Sequence, residues 1–295
     1  PWYHSNVGEP GATLWIVATP IGTIEDLGAR ARGLLERVDL ILAEDTRRAR
    51  RLLSHAGIRS GGRLRSFHEH NEARQIPDIL GALRDGHSVA LLSDAGTPVL
   101  SDPGFLLVRA AREQQHPVCS VPGPSAFTAA LAAAGQPPLP AILVGFLPAR
   151  TGPRRRRLKE LAPWRHTMVV FLSPHRIAVE LADLAESLGE DRRATLLAEL
   201  SKVHERGLMG TIGELAAADE AEHPRGEYVL VIGPRSSGRD PAVDVTPEEV
   251  RSIYDGEVAA GADRRGAMRR TAATLGISRK KVFDALLEVQ EQPDK

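Results

Sequence analysis

Ser88-Val89-Ala90-Leu91-Leu92 is a short apolar run that opens directly into Ser93-Asp94-Ala95-Gly96-Thr97-Pro98-Val99-Leu100-Ser101-Asp102-Pro103-Gly104. A run of that length without polar alternation is the pattern of a parallel strand covered on both faces. Phe105-Leu106-Leu107-Val108-Arg109-Ala110-Ala111-Arg112 follows with helical spacing. In an open α/β sheet, the carboxyl end of a strand opening into such a loop is where ligands bind. Gly96 and Gly104 permit close backbone approach or positive φ, and Pro98 and Pro103 stiffen the path. The segment reads as a binding loop.

The same alternation runs through residues 14–135. Strands are expected at 14–18, 39–43, 63–67, 88–92 and 117–121, each followed by a stretch with helical periodicity. Asp26 is placed to cap the first helix, on which Leu27, Ala31, Leu34 and Leu35 recur. The alanine-rich residues 127–134 form a helix stopped by Gly135. Strands alternating with helices imply an α/β fold with a mostly parallel sheet. The Pro-rich residues 136–140 are a hinge. Strands at 142–146, 167–172, 194–197 and 228–232, with helices at 178–188 and 212–218, make a second α/β unit. Ser236-Ser237-Gly238 is a linker, and residues 246–290 read as all-helical. The expected organisation is a loose tail at 1–12, α/β domains at 13–135 and 136–235, and a small helical domain at 244–295.

Composition excludes several classes. With 42% hydrophobic and 26% charged residues the 295-residue chain is globular and soluble. No apolar run reaches the ~18 residues that span a bilayer, and the N-terminus lacks a signal-peptide plan. The lone Cys119 permits no internal disulfide and no cysteine metal cluster, and reads as a buried inert thiol of a cytoplasmic protein. Formal net charge is zero, yet the charges are segregated. Arg150, Arg154, Arg155, Arg156, Arg157 and Lys159 form one basic block. Arg264, Arg265, Arg269, Arg270, Arg279, Lys280 and Lys281 form another, with no acidic residue between its ends. Both suit phosphate contacts, the guanidinium forks especially. In the second block a helix ends at Gly276 and Ser278 caps the next, with Val282, Leu286 and Leu287 inward. That is helix-turn-helix spacing.

The motif inventory narrows the chemistry. The dinucleotide Gly-x-Gly-x-x-Gly, the P-loop, His-Glu-x-x-His and Gly-x-Ser-x-Gly are all missing. His68-Glu69-His70 reads as a polar loop, with no metal assigned. What remains is a set of strand-end loops rich in Pro, Gly and Ser/Thr, suited to a nucleoside-like cofactor without phosphate.

Those loops resemble one family. Thr19-Pro20-Ile21-Gly22, Ala43-Glu44-Asp45-Thr46-Arg47, His68-Glu69-His70-Asn71-Glu72, Ser93-Asp94-Ala95-Gly96-Thr97-Pro98 with Asp102-Pro103-Gly104, and Pro122-Gly123-Pro124-Ser125-Ala126 stand in order. Gly145-Phe146-Leu147-Pro148, Ser173-Pro174-His175-Arg176, Glu199-Leu200-Ser201-Lys202 and Gly226-Glu227 continue the match. Over about residues 13–234 the chain is similar to the ribosomal RNA small-subunit methyltransferase I branch of the tetrapyrrole-methylase superfamily. The resemblance implies two αβα domains with S-adenosylmethionine in the cleft between them, usually in a homodimer. It implies methyl transfer to the ribose 2′-hydroxyl of a cytidine in 16S rRNA, either naked or in the 30S subunit. Carried over, Pro20, Gly22, Asp94, Gly96, Pro98, Val99, Ser125, Ala126, Phe171, Leu200 and Gly226 would surround the cofactor.

Two departures stand out. Val170-Phe171-Leu172-Ser173 lacks the family's tyrosine–glutamate pair, and Ala198 replaces its arginine. A ribose hydroxyl is a weak acid, so a positioned base would contribute ~10²–10⁴-fold. His68, Asn71, Glu199 and Lys202 are the catalytic candidates, with His70 and Glu69 as further bases. The basic tail also fits a DNA-binding regulator with a ligand-sensing body. The loops likewise fit a methylase acting on a porphyrinoid or a protein side chain.

Overall fold

A computed structural model describes residues 12–218, 221, 224–235, 246–275 and 277–290. The chain divides into two compact units, one ending at Arg235 and the other made of the C-terminal residues. The expected linker at 236–238, Gly276 and all but the last residue of the expected 1–12 tail lie outside the described residues.

In the first unit, β1 (Leu14–Val17), β2 (Leu40–Ala43), β3 (Leu64–Ser66), β4 (Val89–Leu92) and β5 (Val118–Val121) form one sheet. Its order is β3-β2-β4-β1-β5, and every pair is parallel. Helices α1 (Ala29–Arg37), α2 (Thr46–His55), α3 (Glu72–Arg84) and α4 (Phe105–Glu113) cover both faces. Trp15, Val17, Ile41 and Leu92 pack under α1 and α2, while Leu14, Ile16, Leu42 and Leu91 pack under α3 and α4. Burial on both faces is why these strands carry no polar alternation. Each fully buried Leu or Ile contributes about 1.5–3 kcal/mol. From β1 the chain crosses to β2, whereas from β4 it crosses to β5 on the other side of β1. The adjacent ends of β1 and β4 are therefore the point at which connections part, where open α/β sheets hold ligands.

Asp26 does not cap α1. It closes a 3-10 turn at Ile24–Asp26, and Gly28 occupies the cap position, because a cap must directly precede the first helical residue. The Asp26 carboxylate instead accepts a hydrogen bond from Ser201 Oγ.

The second sheet contains β6 (Ala141–Phe146), β7 (Thr167–Leu172), β8 (Arg193–Ala198), β9 (Arg206–Thr211) and β10 (Tyr228–Ile232), in the order β6-β7-β10-β8-β9. Only β6 and β7 run parallel. The seven-residue turn between β8 and β9 is too short for a crossover, so those strands pair antiparallel. α6 (Thr151–Leu161), α7 (Ile177–Leu188) and α8 (Ile212–Ala216) pack on one face through Leu158, Leu181 and Leu215. α5 (Ala126–Ala133) precedes the Pro-rich residues 136–140 in sequence, yet Ala130 packs on the opposite face against Val169, Leu197 and Val231. It joins the two sheets.

The C-terminal unit is a trio of helices: α9 (Pro247–Ala259), α10 (Arg264–Leu275) and α11 (Arg279–Gln290). Thr246 Oγ1 accepts from Glu249 N–H to cap α9, and Ser278 Oγ accepts from Lys281 N–H to cap α11. Val250, Ala272 and Val282 form its core, with Leu286 against them. Leu287 is 43% exposed rather than inward, since it lies one residue round the helix from Leu286. No helix among the described residues is long and apolar enough to cross a membrane.

Candidate active site

The loop after β1 and the loop after β4 are stitched together. Thr19 N–H donates to Gly96 O at 2.8 Å and Gly96 N–H returns to Thr19 O at 3.0 Å. Ser93 Oγ donates to Gly96 O at 2.8 Å, and Thr97 Oγ1 donates to Pro124 O at 3.2 Å, tying in the loop after β5. Gly96 takes φ +84° with Ile21 closing on it, a conformation open to few other residues. Val99 and Ser101 also have positive φ, at 76° and 71°. For residues with side chains this costs of order 1–3 kcal/mol each, and such strain concentrates at binding sites.

Between these loops and the second sheet lies a cleft of about 310 Å³. Asp94, Gly96, Thr97, Ser101 and Asp102 line it from the β4 loop, and Ser125, Ala126 and Phe127 from the start of α5. Leu143, Phe146, Phe171, Leu172 and Val229 supply an apolar wall from the second sheet, with Phe146 and Phe171 edge to face at 5.5 Å. Arg48 is the one cation lining it among the described residues.

The rim is acidic. Asp94 Oδ1 accepts from Asp45 N–H at 3.0 Å, and its Oδ2 lies 3.5 Å from Arg48. Burial raises the Glu44 carboxyl above the usual range, with the Asp94 charge adding to it and His68 and Arg48 opposing it. Burial, then the charges of Glu44 and Asp94, push Asp102 up to about 6.

The profile of the tetrapyrrole (corrin/porphyrin) methylases matches residues 13–216. The chain is 45% identical over 247 residues to the ribosomal RNA small subunit methyltransferase I of Xylella fastidiosa, covering 83% of this chain and 88% of that one. It is 39% identical over 281 residues to the protein of that name in Mesorhizobium japonicum, covering 94% and 92%. The chain belongs to the ribosomal RNA small subunit methyltransferase I family. It is a methyltransferase. Solved structures share its fold: diphthine synthase (TM-score 0.60, 15% identity, 75% of this chain and 89% of that one) and cobalt precorrin-4 methyltransferase (0.56, 18%, 75% and 95%).

The cleft of this methyltransferase takes in five of the expected cofactor residues: Asp94, Gly96, Ser125, Ala126 and Phe171. The others act behind it. Pro98 is buried and Val99 packs into the core beneath the loop. Leu200 packs with α5. Gly22, beside Pro20, lies where a Cβ would come within 2.6 Å of Lys202 Cγ, so it closes the joint between the two sheets. Gly226 sits beside Glu199. Arg48, Ile21, Ser101, Asp102, Phe146 and Tyr228 line the cleft without having been expected to. For Asp102, its place in the same loop as Asp94 was the signal.

The four catalytic candidates fall into two structural devices outside the cleft lining. Asn71 Oδ1 accepts from His68 N–H, and its amide lies 3.1 Å from His68 Nε2, so the pair shapes its own turn. His68 Nδ1 is buried and has no hydrogen-bond partner among the described residues. Lys202 Nζ is 2.8 Å from Glu199 Oε1 and 3.2 Å from Glu227 Oε2. The Lys202 hydrogen bond holds the Glu199 carboxyl below its usual range, which makes it a poor base.

The departures from the family pattern share one row. Leu172 and Ala198 both pair with Tyr228, and Ala198 pairs with Arg206. Tyr228 OH accepts from Arg206 Nη2 at 3.2 Å and from Arg225 N–H at 2.8 Å. The arginine of this row thus stands one strand over from Ala198.

The first basic block does not present its charges as expected. On α6, Arg154 shares the inward face with Leu158 and Leu161, and is 3% exposed. Its Nη2 lies 2.6 Å from Asp183, and Nη1 donates to Ala149 O. Arg154 is therefore withdrawn from the RNA-contacting set. Arg155 bridges Asp183 and Glu186, and Arg157 pairs with Glu160, while Arg156 is exposed. In the C-terminal unit Arg264, Arg265, Arg269, Arg270, Arg279, Lys280 and Lys281 are all exposed, with Arg270 3.5 Å from Glu257.

Proposed function

We propose that this chain transfers the methyl group of S-adenosylmethionine to the ribose 2′-hydroxyl of a cytidine in 16S rRNA. The observation that carries the proposal is identity of 36–45% over most of the chain to proteins named ribosomal RNA small subunit methyltransferase I. The cleft's chemistry fits the cofactor. Its aromatic and aliphatic wall suits a purine, Arg48 suits a carboxylate, and the acidic rim suits a molecule carrying ammonium and sulfonium charges. The protein's contribution is alignment of oxygen, carbon and sulfur, and exclusion of water. The reading places the enzyme in the cytoplasm as a homodimer.

Transfer of radiolabelled methyl from S-adenosylmethionine to 30S particles, naked 16S rRNA and uroporphyrinogen tests it. Alkali-resistant label at one ribose is the expected result, and the labelled sample identifies the form of RNA recognised. Label confined to the porphyrinoid overturns the substrate.

The exposed cations of α10 and α11 support a reading of the C-terminal unit as the RNA-contacting part. Replacing Arg279, Lys280 and Lys281 with Gln is expected to flatten the log affinity against log salt slope for RNA by roughly two to three. Cofactor affinity stays unchanged. An unaltered slope removes these residues from the interface.

A further inference from the structure

We propose that Asp102 is the catalytic group that takes the proton from the attacking ribose hydroxyl. The inference rests on the methyl-transfer reading above and follows from how each ionisable group lining the cleft is engaged. Asp94 is occupied by Asp45 N–H and Arg48. Glu227 lies against Lys202, its side chain 71% exposed. Tyr228 is buried with its hydroxyl accepting two N–H groups. Asp102 alone among these acids accepts no hydrogen bond and pairs with no cation among the described residues, although its side chain is only partly exposed.

A carboxylate held that way is a better base than one in water. Glu44 at the end of β2 and Asp94 at the end of β4 repel its charge, Arg48 is drawn to Asp94, and His68 and Glu69 act on Glu44. The Asp102 pKa is pushed up to about 6, so above that pH the group is an unprotonated base that holds a proton better than an ordinary carboxylate. Ser101 beside it is held at φ 71°, which fixes the direction in which the chain presents this pair to the cleft.

The step balances. The 2′-oxygen forms a bond to the methyl carbon while the carbon–sulfur bond breaks and its electron pair stays on sulfur. The hydroxyl proton passes to the Asp102 carboxylate. A sulfonium cation, an alcohol and a carboxylate become a thioether, an ether and a carboxylic acid, with charge conserved.

The test compares wild type, Asp102→Asn and His68→Ala in single-turnover methylation of the RNA acceptor from pH 5 to 9. Wild-type rate is expected to fall as pH drops through about 6, because protonation disables the base. Asp102→Asn is expected to lose 10²–10⁴-fold in rate and the acid limb with it. His68→Ala keeps the limb. Affinity for S-adenosylhomocysteine, measured by calorimetry, stays within a few-fold in Asp102→Asn, and the variant melts no lower than wild type because a repelled charge has gone. The infrared carboxyl band appearing between pH 7 and 5 is lost in Asp102→Asn. A limb that persists in Asp102→Asn, or vanishes in His68→Ala, overturns the proposal. Loss of product affinity equal to the loss of rate makes Asp102 a cofactor anchor and also overturns it. Failure of wild type to label RNA would strike the methyl-transfer reading instead.

Discussion

Arg154→Ala is expected to cost about 3 kcal/mol of stability, lowering the melting midpoint by roughly 6–12 °C. The guanidinium is 3% exposed and its Nε and Nη2 meet Asp183 Oδ2 at 2.7 and 2.6 Å, while Nη1 holds two backbone carbonyls at the start of α6. Truncation leaves the buried Asp183 carboxylate to Arg155 alone, whose side chain is 49% exposed and also serves Glu186. The cost is that of an uncompensated buried charge more than of a lost attraction. Arg156→Ala, one residue along on the exposed face, is expected to change stability by less than about 0.5 kcal/mol. Thermal denaturation of both variants, with RNA affinity measured where each is folded, separates structure from recognition. An Arg154→Ala protein of wild-type stability and weakened RNA binding would return the residue to the interface.

Asp94→Ala is expected to weaken cofactor binding roughly a hundredfold, with stability reduced by about 1 kcal/mol. Asp94 lines the cleft and holds Asp45 N–H at the end of β2, so its loss loosens two adjoining strand-end loops. It also releases Arg48 from its 3.5 Å contact. A charge-assisted hydrogen bond contributes about 1.5–3 kcal/mol, which by itself corresponds to roughly 10–100-fold in affinity. Asp94→Asn keeps an acceptor for Asp45 and is expected to fall between the two. Isothermal calorimetry with S-adenosylmethionine reads the effect, and unchanged affinity would place the cofactor elsewhere.

Much of the fold is written locally. Residues 14–17, 40–43 and 89–92 are apolar along their length, a pattern that declares strands covered on both faces, and the Pro/Gly/Ser loops mark their ligand-facing ends. The cap at Ser278 is read from a residue type and its immediate successors, whereas the same reading misplaces Asp26 by two positions. The loops also carry the resemblance that places the chain in its family.

Features that depend on distant neighbours are not legible in that way. β9 contains Gly207 and Gly210, poor strand formers, and exists because β8 offers it an edge. The basic block on α6 reads in sequence as a set of phosphate contacts, although the spacing of Arg154, Leu158 and Leu161 marks an inward face. Only Asp183, 29 positions away, determines that an arginine takes the first place on it. Glu199 reads in sequence as a candidate base, and Lys202 with the Glu227 N–H makes it a structural clamp.

Local patterns set the five strands of the first sheet, four of the five in the second, most of the helices, the positions of the binding loops and the family the chain joins. These follow from patterns a few residues long, which side-chain periodicity and backbone geometry enforce locally. Tertiary packing set the antiparallel order of the second sheet, the apolar wall it lends to the cleft and the carboxylate left without a partner among the described residues. Those depend on burial and charge, which residues remote in sequence impose once packing brings Glu44, Asp94 and Asp102 within electrostatic reach of one another.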